Sequence, residues 1–334
     1  MKKRSNIKQK IKDRKKYYNK IDIFLSRMAG ILKIPTGLVH RYFSQRTVTT
    51  IRLNTLVQDA KTTYEQLINN GLELEAISWS KDTYIVKNKD KSEIAKLDSY
   101  RDGHFYIQNL SSMIPAIALS PTPQDIVLDM CAAPGSKTTQ LAVMLNNKGE
   151  IIANDDDKHR VEKLQGVLDM FGVTNTTVRF GRGEFIGKRE ENHYDKILLD
   201  APCSGEGMIY LKGDKPLRFW NIKKVKAFSK IQKDLIDSAF NALKKGGELV
   251  YSTCTLEPEE NEGVITYLLN KYHNAEIMEI PVFKTIINED SKRYIKKGLR
   301  IFNDTKYIDE VSKTYRICPH DRMMGFYVAK ITKK

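Results

Sequence analysis

Apolar strands alternate with helical segments over most of the second half of the chain. Four such units are visible, with strands over 126–129, 150–155, 196–199 and 248–252 and helices near Ser136, over 158–171, over 223–244 up to Gly246-Gly247, and near Pro258. Alternation at this spacing predicts right-handed βαβ units, and therefore a parallel sheet with helices on both faces. Ligands of such sheets bind beyond the carboxyl ends of the strands, so we expect a site at that edge.

A basic stretch opens the chain. Residues 1–20 hold ten Lys or Arg against one acid, Asp13. Apolar residues then recur at helical spacing from Ile21 until Pro35 ends the helix. Two interpretations of the basic stretch stay open: salt-sensitive contact with phosphates, or a solvated tail. We treat residues 1–40 as a basic helical N-terminal extension.

A small α+β module is predicted over residues 41–102. Its elements are a strand over 47–54, a helix over 64–70 that ends at Gly71, and one or two strands within 74–86. The large α/β domain then takes residues 103–334. Its first segment, 103–118, is predicted to be a loop that enters a helix, with Ser111 or Ser112 near the N-cap.

Composition restricts the function classes. No run of eighteen apolar residues exists, so a membrane span is not expected, and no apolar segment typical of a secretory signal follows the first basic residues. The formal net charge of +15 favours a polyanionic partner, nucleic acid before an acidic membrane. The four cysteines are widely spaced without a CxxC pair, which indicates reduced thiols and no metal site. Asp155-Asp156-Asp157 is not a metal cluster either, because three consecutive acids cannot all face one ion.

A turn rich in small residues follows the first strand of the large domain. Asp129 ends the strand, and Cys131-Ala132-Ala133-Pro134-Gly135 opens a helix, so a ligand can approach the backbone closely. The turn is not a phosphate-binding P-loop, because Ser136 stands where that motif needs glycine. Asp155, at the end of the second strand, can accept hydrogen bonds from ribose hydroxyls. These features predict an adenosine-containing ligand, S-adenosylmethionine rather than NAD, because no pyrophosphate-binding glycine run is present.

Two cysteines follow strands whose flanking residues are small. Asp200-Ala201-Pro202-Cys203-Ser204-Gly205 comes after one strand, and Tyr251-Ser252-Thr253-Cys254-Thr255 ends the next. A lone cysteine is usually a small buried hydrophobe, which is what we expect of Cys131 and Cys318. Two cysteines at adjacent strand ends favour a functional pair, although spacing alone does not assign a role to either thiol.

These three motifs together resemble the NOL1/NOP2/Sun (RsmB/NOP) family of RNA cytosine-5 methyltransferases. Phe105 to Ser112 and the final strand Gly325 to Ala329 also fit, so the resemblance covers roughly residues 41–334. It implies a Rossmann-like class I S-adenosylmethionine methyltransferase sheet over residues 103–334 and an RNA-binding role for the module over 41–102. It further implies RNA, ribosomal or transfer, as the partner.

The resemblance also implies roles for individual residues. Cys254 is the nucleophile that adds to cytosine C6, and Cys203 assists product release. Asp200 binds the N3/N4 edge of the base, and Lys137 positions Asp200 or the methyl donor. The implied cofactor-binding residues are Cys131, Ala132, Ala133, Pro134, Gly135, Ser136, Lys137, Asp155, Arg160 and Asp200, with Asp157 as a further possibility.

One position departs from the family pattern. The family usually has an aspartate after the third strand that reaches the adenine amino group, and Phe180 takes its place here. An apolar contact with the adenine ring and a backbone acceptor are both open as substitutes. For His320, in the loop before the last strand, a position near the RNA side of the pocket and an ordinary surface position are equally open.

Three functions are compatible with these motifs. DNA cytosine-5 methyltransferases use the Pro-Cys thiol as nucleophile, so the second cysteine motif, at Cys254, favours RNA over DNA. A non-catalytic RNA-binding or ribosome-assembly factor is the alternative that Phe180 keeps open. We expect no further RNA-binding domain after Lys334, by analogy with compact family members of similar length, several of which act on tRNA. A cytoplasmic monomer without a membrane or metal partner is expected.

Overall fold

The computed structural model describes residues 20–213, 216–288 and 290–334. Residues 20–32 are helical (α1), and a second helix that was not predicted, α2, spans Thr36–Phe43. Pro35 ends the first helix, as expected, and is also the N-cap of the second, where its missing N–H costs no hydrogen bond. Most of the predicted basic stretch, residues 1–19, lies outside the described residues.

The small module forms an antiparallel sheet. Its strands are β1 (Thr49–Leu53), β2 (Leu74–Ala76), β3 (Thr83–Val86) and β4 (Phe105–Ile107), in the order β2-β3-β1-β4. Its helices are α3 (Ala60–Asn69), α4 (Lys91–Ile94) and α5 (Asp98–Arg101). The last strand of this sheet therefore comes from beyond the boundary that we drew at residue 102.

Helix α6 spans Leu110–Leu119 and leads into the large domain. Its N-cap is Asn109, whose side-chain oxygen accepts from the backbone N–H of Ser111 at 3.1 Å. Ser111 thus lies two residues from the N-cap, near it as expected, and Asn109 has the extended backbone that a cap needs.

A mixed sheet with helices on both faces forms the large domain. Its strands are β5 (Ile126–Asp129), β6 (Glu150–Asp155), β7 (Thr176–Phe180), β8 (Tyr194–Asp200), β9 (Leu243–Thr253), β10 (Ala275–Met278), β11 (Ile295–Lys297), β14 (Tyr315–Ile317) and β15 (Phe326–Lys333); β12 (Ile301–Phe302) and β13 (Thr305–Lys306) pair separately. Its longer helices are α7 (Ser136–Leu145), α8 (Lys158–Met170), α10 (Ile222–Ala242) and α11 (Glu262–Lys271), with short helices α9 (Ile186–Arg189) and α12 (Phe283–Ile286).

The predicted βαβ units form the parallel half of this sheet. The order is β7-β6-β5-β8-β9, all parallel, and then β15, β14 and β11, each antiparallel to its neighbour, while β10 pairs with β15. The Rossmann-like fold is thus confirmed, although the described sheet is mixed rather than wholly parallel. The predicted helix end also shifts: α10 ends at Ala242, and Gly246-Gly247 lies in an irregular part of the β8–β9 pairing.

The N-terminal helices pack on the large domain instead of standing apart. Phe24 and Met28 of α1 are fully buried with Trp220 and Leu256. Arg27, on the same helix, pairs with Glu257 at 2.6 Å and with Glu259 at 2.7 Å, two residues that follow the second cysteine motif. None of the helices in the described ranges is both long and apolar enough to cross a bilayer.

Candidate active site

Four parallel strands bring the predicted residues to one edge of the sheet. Strands β5, β6, β8 and β9 run in the same direction, so Asp129, Asp155, Asp200 and Thr253 all lie at carboxyl ends. β8 is the direct neighbour of both β5 and β9. The turn after β5 and the two cysteine motifs therefore face one shared space, as the strand pattern predicts.

The two thiols at this edge are in contact. Sγ of Cys203 and Sγ of Cys254 are 3.2 Å apart, and both cysteines are free and half-buried. The hydrogen bond with Cys254, together with burial, raises the pKa of the Cys203 thiol well above its ordinary value. The Cys203 thiol therefore stays protonated at neutral pH while it contacts the Cys254 sulfur, and either sulfur can be the donor in that contact.

Asp200 is held by two side chains from different elements. The Nζ of Lys137 donates to one carboxylate oxygen at 2.6 Å, and the hydroxyl of Ser252 donates to the other at 2.7 Å. Lys137 is itself fixed by the hydroxyl of Ser112 at 2.9 Å and is almost completely buried. Of the two predicted targets of Lys137, the structure shows Asp200 as its contact.

Buried acids support the turn that carries Cys203, and the sequence analysis missed them. The Ser204 hydroxyl oxygen lies 2.8 Å from a carboxyl oxygen of Glu206 and also within hydrogen-bond distance of Glu260, and the Ser204 backbone N–H donates to Glu260 at 3.0 Å. Gln232 of α10 donates to the same Glu260 at 2.8 Å. Burial raises the pKa of Glu260 to about 8. Acids beside small residues, within a few positions of each cysteine, were the signal that could have identified this network.

A cleft of about 570 Å³ opens beside the thiols. Both cysteines line it, and so do five of the residues predicted to bind a cofactor: Cys131, Ala133, Asp155, Arg160 and Asp200. The others, Ala132, Pro134, Gly135, Ser136 and Lys137, belong to the same turn or its helix but do not line the cleft. Apolar walls come from residues that sequence reasoning did not identify, namely Met130, Phe228, Ile231 and Leu235.

Asp155 is fixed at the end of β6. Its carboxylate accepts from the backbone N–H of Ala133 at 3.1 Å and lies 3.3 Å from the guanidinium of Arg160, which also donates to the Ala133 carbonyl at 2.5 Å. Burial raises the pKa of Asp155. The turn closes tightly because Gly135 has φ +106°, and a Cβ there would come within 3.0 Å of Leu164.

This set of groups fits an adenosine-containing ligand. Flat apolar walls suit a base, and a fixed carboxylate suits a ribose diol. The buried carboxyl of Asp129 accepts from Thr138 at 2.7 Å through one oxygen, while its other oxygen has no partner among the described residues. Burial raises the pKa of Asp129 to about 7. An unpaired buried acceptor beside the cleft is the kind of group that a bound donor satisfies.

Phe180 does not line the cleft. Its side chain is 62% exposed, so an apolar contact between Phe180 and a ligand in the cleft is not what the structure shows. Glu184, four residues later, lines the cleft instead and lies 3.1 Å from Arg182. An acid from the segment after the third strand of the large domain therefore lines the cleft, four residues beyond Phe180.

The remaining candidates lie elsewhere. Cys318 is fully buried among the N-terminal helices, which agrees with a packing role. His320 is buried rather than on the surface and stacks on Tyr294 with ring centroids 4.1 Å apart, and burial lowers its pKa. Within residues 20–213, 216–288 and 290–334, no cluster of three His, Cys, Asp or Glu could hold a metal ion.

The fold and the site together define a class of protein. A Rossmann-like sheet with a nucleoside-sized cleft at the carboxyl ends of its strands is the class I methyltransferase fold. The chain belongs to one family within that class, because the model of the family "16S rRNA methyltransferase RsmB/F" matches residues 116–332.

Curated relatives agree with this membership. A tRNA (cytosine(49)-C(5))-methyltransferase of Pyrococcus abyssi is 42% identical over 286 residues, which is 85% of this chain and 87% of the relative. Ribosomal RNA small subunit methyltransferase F of Shewanella amazonensis is 41% identical, over 69% of this chain and 49% of the relative. The 26S rRNA (cytosine-C(5))-methyltransferase nsun-1 of Caenorhabditis elegans is 38% identical over 85% of this chain. The chain thus spans only 42–49% of these two rRNA methyltransferases.

Solved structures show the same fold. A methyltransferase homolog protein from Pyrococcus horikoshii is 32% identical, with a TM-score of 0.74 over 88% of this chain and 89% of that one. NSun6 from the same organism, solved with SFG, an S-adenosylmethionine analogue, is 24% identical with a TM-score of 0.71 over 89% of this chain and 94% of that one. The predicted family, fold and class of enzyme are confirmed.

Proposed function

We propose that this protein transfers a methyl group from S-adenosylmethionine to C5 of a cytosine in RNA, through a covalent bond between Cys254 and C6 of the base. The observation that carries the proposal is the contact of the two thiols at 3.2 Å, beside a carboxylate that Lys137 and Ser252 hold in place. A single thiol at this edge is sufficient for nucleophilic addition. A second thiol in contact with it supplies a proton-transfer group for the other half of the reaction.

The first half of the reaction uses Cys254 and Asp200. Cytosine C5 is a poor nucleophile, and addition of a thiolate at C6 makes it enamine-like. Cys254 must first lose its proton to solvent, and a hydrogen bond from the neighbouring Cys203 would then stabilise the thiolate, because a thiolate is a better acceptor than a thiol. Asp200 is placed to bind the N3/N4 edge of the base and to favour its protonation as the Cys254–C6 bond forms.

The second half regenerates both thiols. The methylated C5 loses its proton to solvent, the electrons of that C–H bond form the C5–C6 double bond again, and the electron pair of the C6–S bond returns to Cys254. Cys203 lies one hydrogen bond away from that sulfur and can give it a proton as it leaves, which supports the assignment of Cys203 to product release. A proton from solvent then restores Cys203. Without Cys203 this proton donor is lost, so the C6–S bond should break more slowly.

The donor-binding residues are those of the cleft. Asp155 and Arg160 would hold the ribose end, Cys131 and Ala133 would contact the ligand through their backbone, and Asp200 lies near the thiols. We assign the adenine amino group to Glu184, because Phe180 does not line the cleft and Glu184 does. When bound, S-adenosylmethionine supplies an electrophilic methyl group.

RNA is supported as the substrate by three features. The chain has a second cysteine motif, at Cys254, besides the Pro-Cys motif whose thiol is the nucleophile of DNA cytosine-5 methyltransferases. The net charge is +15, and the named relatives act on tRNA or rRNA. The choice between tRNA and rRNA stays open. A cytoplasmic location and a monomeric state stay predictions.

Bisulfite sequencing of total RNA from cells with and without the gene tests the proposal. One or a few cytosines should be protected from conversion only when the gene is present, and the purified protein should methylate RNA from the deleted strain with radiolabelled donor. A non-catalytic RNA-binding or assembly factor would leave every cytosine unprotected. A DNA methyltransferase would label duplex DNA and not RNA.

A further inference from the structure

A second, smaller groove lies next to the thiols. Its volume is about 280 Å³, roughly half that of the cofactor cleft, which suits a single base rather than a whole cofactor. Three separate segments wall it: 42–47 after α2, 207–210 after the Cys203 turn, and 319–324 before β15. We call it the flank groove.

Backbone hydrogen bonds connect a wall of the flank groove to the second cysteine motif, although the groove and the cofactor cleft share no lining residue. The N–H of Gly207, in this wall, donates to the carbonyl of Cys254 at 2.9 Å, and Gly325 donates to Gly207 at 3.0 Å. A Cβ at Gly207 would meet the oxygen of Gly325 at 1.9 Å, so glycine is required for this close approach. One backbone hydrogen bond therefore separates the groove from the proposed nucleophile.

The walls of the groove are fixed by backbone hydrogen bonds across the module boundary. The N–H of Val48 donates to the carbonyl of Asp321 at 2.7 Å, and the N–H of Leu211 donates to the carbonyl of Phe43 at 2.7 Å. His320, stacked on Tyr294, closes the third side. The groove is therefore formed before any ligand arrives, and binding there needs little reorganisation.

Two side chains give the groove a chemical preference. The guanidinium of Arg46 lies over the ring of Tyr210, 5.2 Å from its centroid. No acid among the described residues pairs with Arg46, which is exposed. Met208, beside them, is 57% exposed, which is unusual for a large apolar side chain. The groove thus combines the guanidinium of Arg46, unpaired among the described residues, with the ring of Tyr210 and the exposed thioether of Met208. These groups favour a partner that is flat and carries a negative charge.

We propose that the flank groove binds an unpaired nucleotide next to the target cytosine, with its base against Tyr210 and Met208 and its phosphate near Arg46. This inference rests on the proposed function for the identity of the target cytosine, whereas binding of an RNA base in the groove can be measured separately. A target base must leave its stack to reach the thiol, and that exposes its neighbours. Single-stranded bases bind proteins by stacking on aromatic rings and arginine planes, and every base has a face to stack.

Two substitutions test the groove kinetically. Tyr210→Ala and Arg46→Ala should each raise KM for total RNA from the deleted strain about tenfold, which is the usual effect of losing one stacked base. The kcat should stay within about twofold, because neither side chain touches the thiols. Tyr210→Phe should restore the wild-type KM, since the ring remains. Unchanged affinity for S-adenosylhomocysteine shows that each variant is folded.

Lys233→Ala is the matched control. Lys233 lies over the ring of Tyr267, 5.8 Å from its centroid, and packs between α10 and α11. The substitution removes one cation from an aromatic ring outside the flank groove. Its effect on KM should therefore be only that of losing one positive charge. If Arg46→Ala and Tyr210→Ala behave like Lys233→Ala, the flank groove does not bind RNA.

A binding measurement separates failure of the groove from failure of the proposed function. A fluorescein-labelled single-stranded 12-nucleotide RNA of mixed C and U is titrated with each protein in the absence of donor. Weaker RNA binding by both groove variants supports the groove, whether or not the wild type methylates RNA. A wild type that methylates no RNA overturns the proposed function and leaves this result for the groove intact. Equal binding by wild type and both variants overturns the groove, whatever the methylation assay shows.

Discussion

The sulfur atoms of Cys203 and Cys254 are 3.2 Å apart, although 51 positions separate the two residues in the chain. The contact exists because β8 and β9 are adjacent and parallel, so the turns that follow them emerge side by side. The pKa of Cys203 is raised, in the first place by the hydrogen bond to Cys254. The two thiols are thus in direct contact at the edge of the cleft, and the covalent reaction proposed above uses both of them.

The two thiols should fail in different ways. Cys254→Ala should lose methyl transfer completely and form no adduct, because no bond to C6 can form. Cys203→Ala should accumulate a covalent RNA–protein complex, visible as a slow band on a denaturing gel that ribonuclease removes. Cys318→Ala is the control, since Cys318 is fully buried away from the cleft, and should retain activity. An adduct with Cys254→Ala would reverse the assigned roles.

Lys137→Gln should lower kcat about 100-fold, the usual effect of losing one preorganised charged donor. Lys137 holds Asp200 at 2.6 Å and does not line the cofactor cleft, so affinity for S-adenosylhomocysteine should change little. Lys196→Gln is a matched control on the same strand as Asp200. Lys196 pairs with Glu248 away from the cleft, so its loss should affect stability and leave kcat near that of the wild type. Equal kcat losses in both variants would contradict a role specific to Lys137.

Glu184→Ala should weaken binding of S-adenosylhomocysteine about tenfold, as expected for a hydrogen bond to a charged group. Phe180→Ala should change affinity less than twofold, because Phe180 is mostly exposed. Calorimetry with the inosine analogue of the ligand sharpens the test. The wild type should bind the inosine analogue more weakly than S-adenosylhomocysteine, because the carboxylate of Glu184 would face the carbonyl oxygen that replaces the adenine amino group. Glu184→Ala should bind the two ligands with similar affinity. The opposite ranking of the two variants would place the adenine near Phe180.

Glu260→Gln should flatten the pH dependence of stability. The pKa of Glu260 is raised to about 8 by burial, so its contribution to stability is fully present below its ordinary pKa, near 4.5, and is lost as pH rises through 8. The free energy of unfolding of the wild type should therefore fall by a few kcal/mol over this range through Glu260. Denaturant unfolding at pH 5, 7 and 9 measures it. A parallel fall in the variant would show that Glu260 is not the titrating group.

The sequence determined the secondary structure of the catalytic half and the positions of its functional turns. Strand–helix alternation is a local signal, because the 2.0 and 3.6 residue periods are properties of the backbone. The same pattern places a residue at a strand end, so Asp129, Asp155 and Asp200 could be located before the fold was known. The motifs around the two cysteines identified the family.

Only the tertiary structure decided which side chains touch. Three findings depend on segments that are far apart in the chain: the partner of Lys137, the buried support from Glu260, and the presence of Glu184 rather than Phe180 in the lining of the cleft. The packing of Arg27 against Glu257 was missed for the same reason. A hydrogen bond forms where packing of the whole domain brings donor and acceptor within about 3 Å, and no local pattern contains that distance.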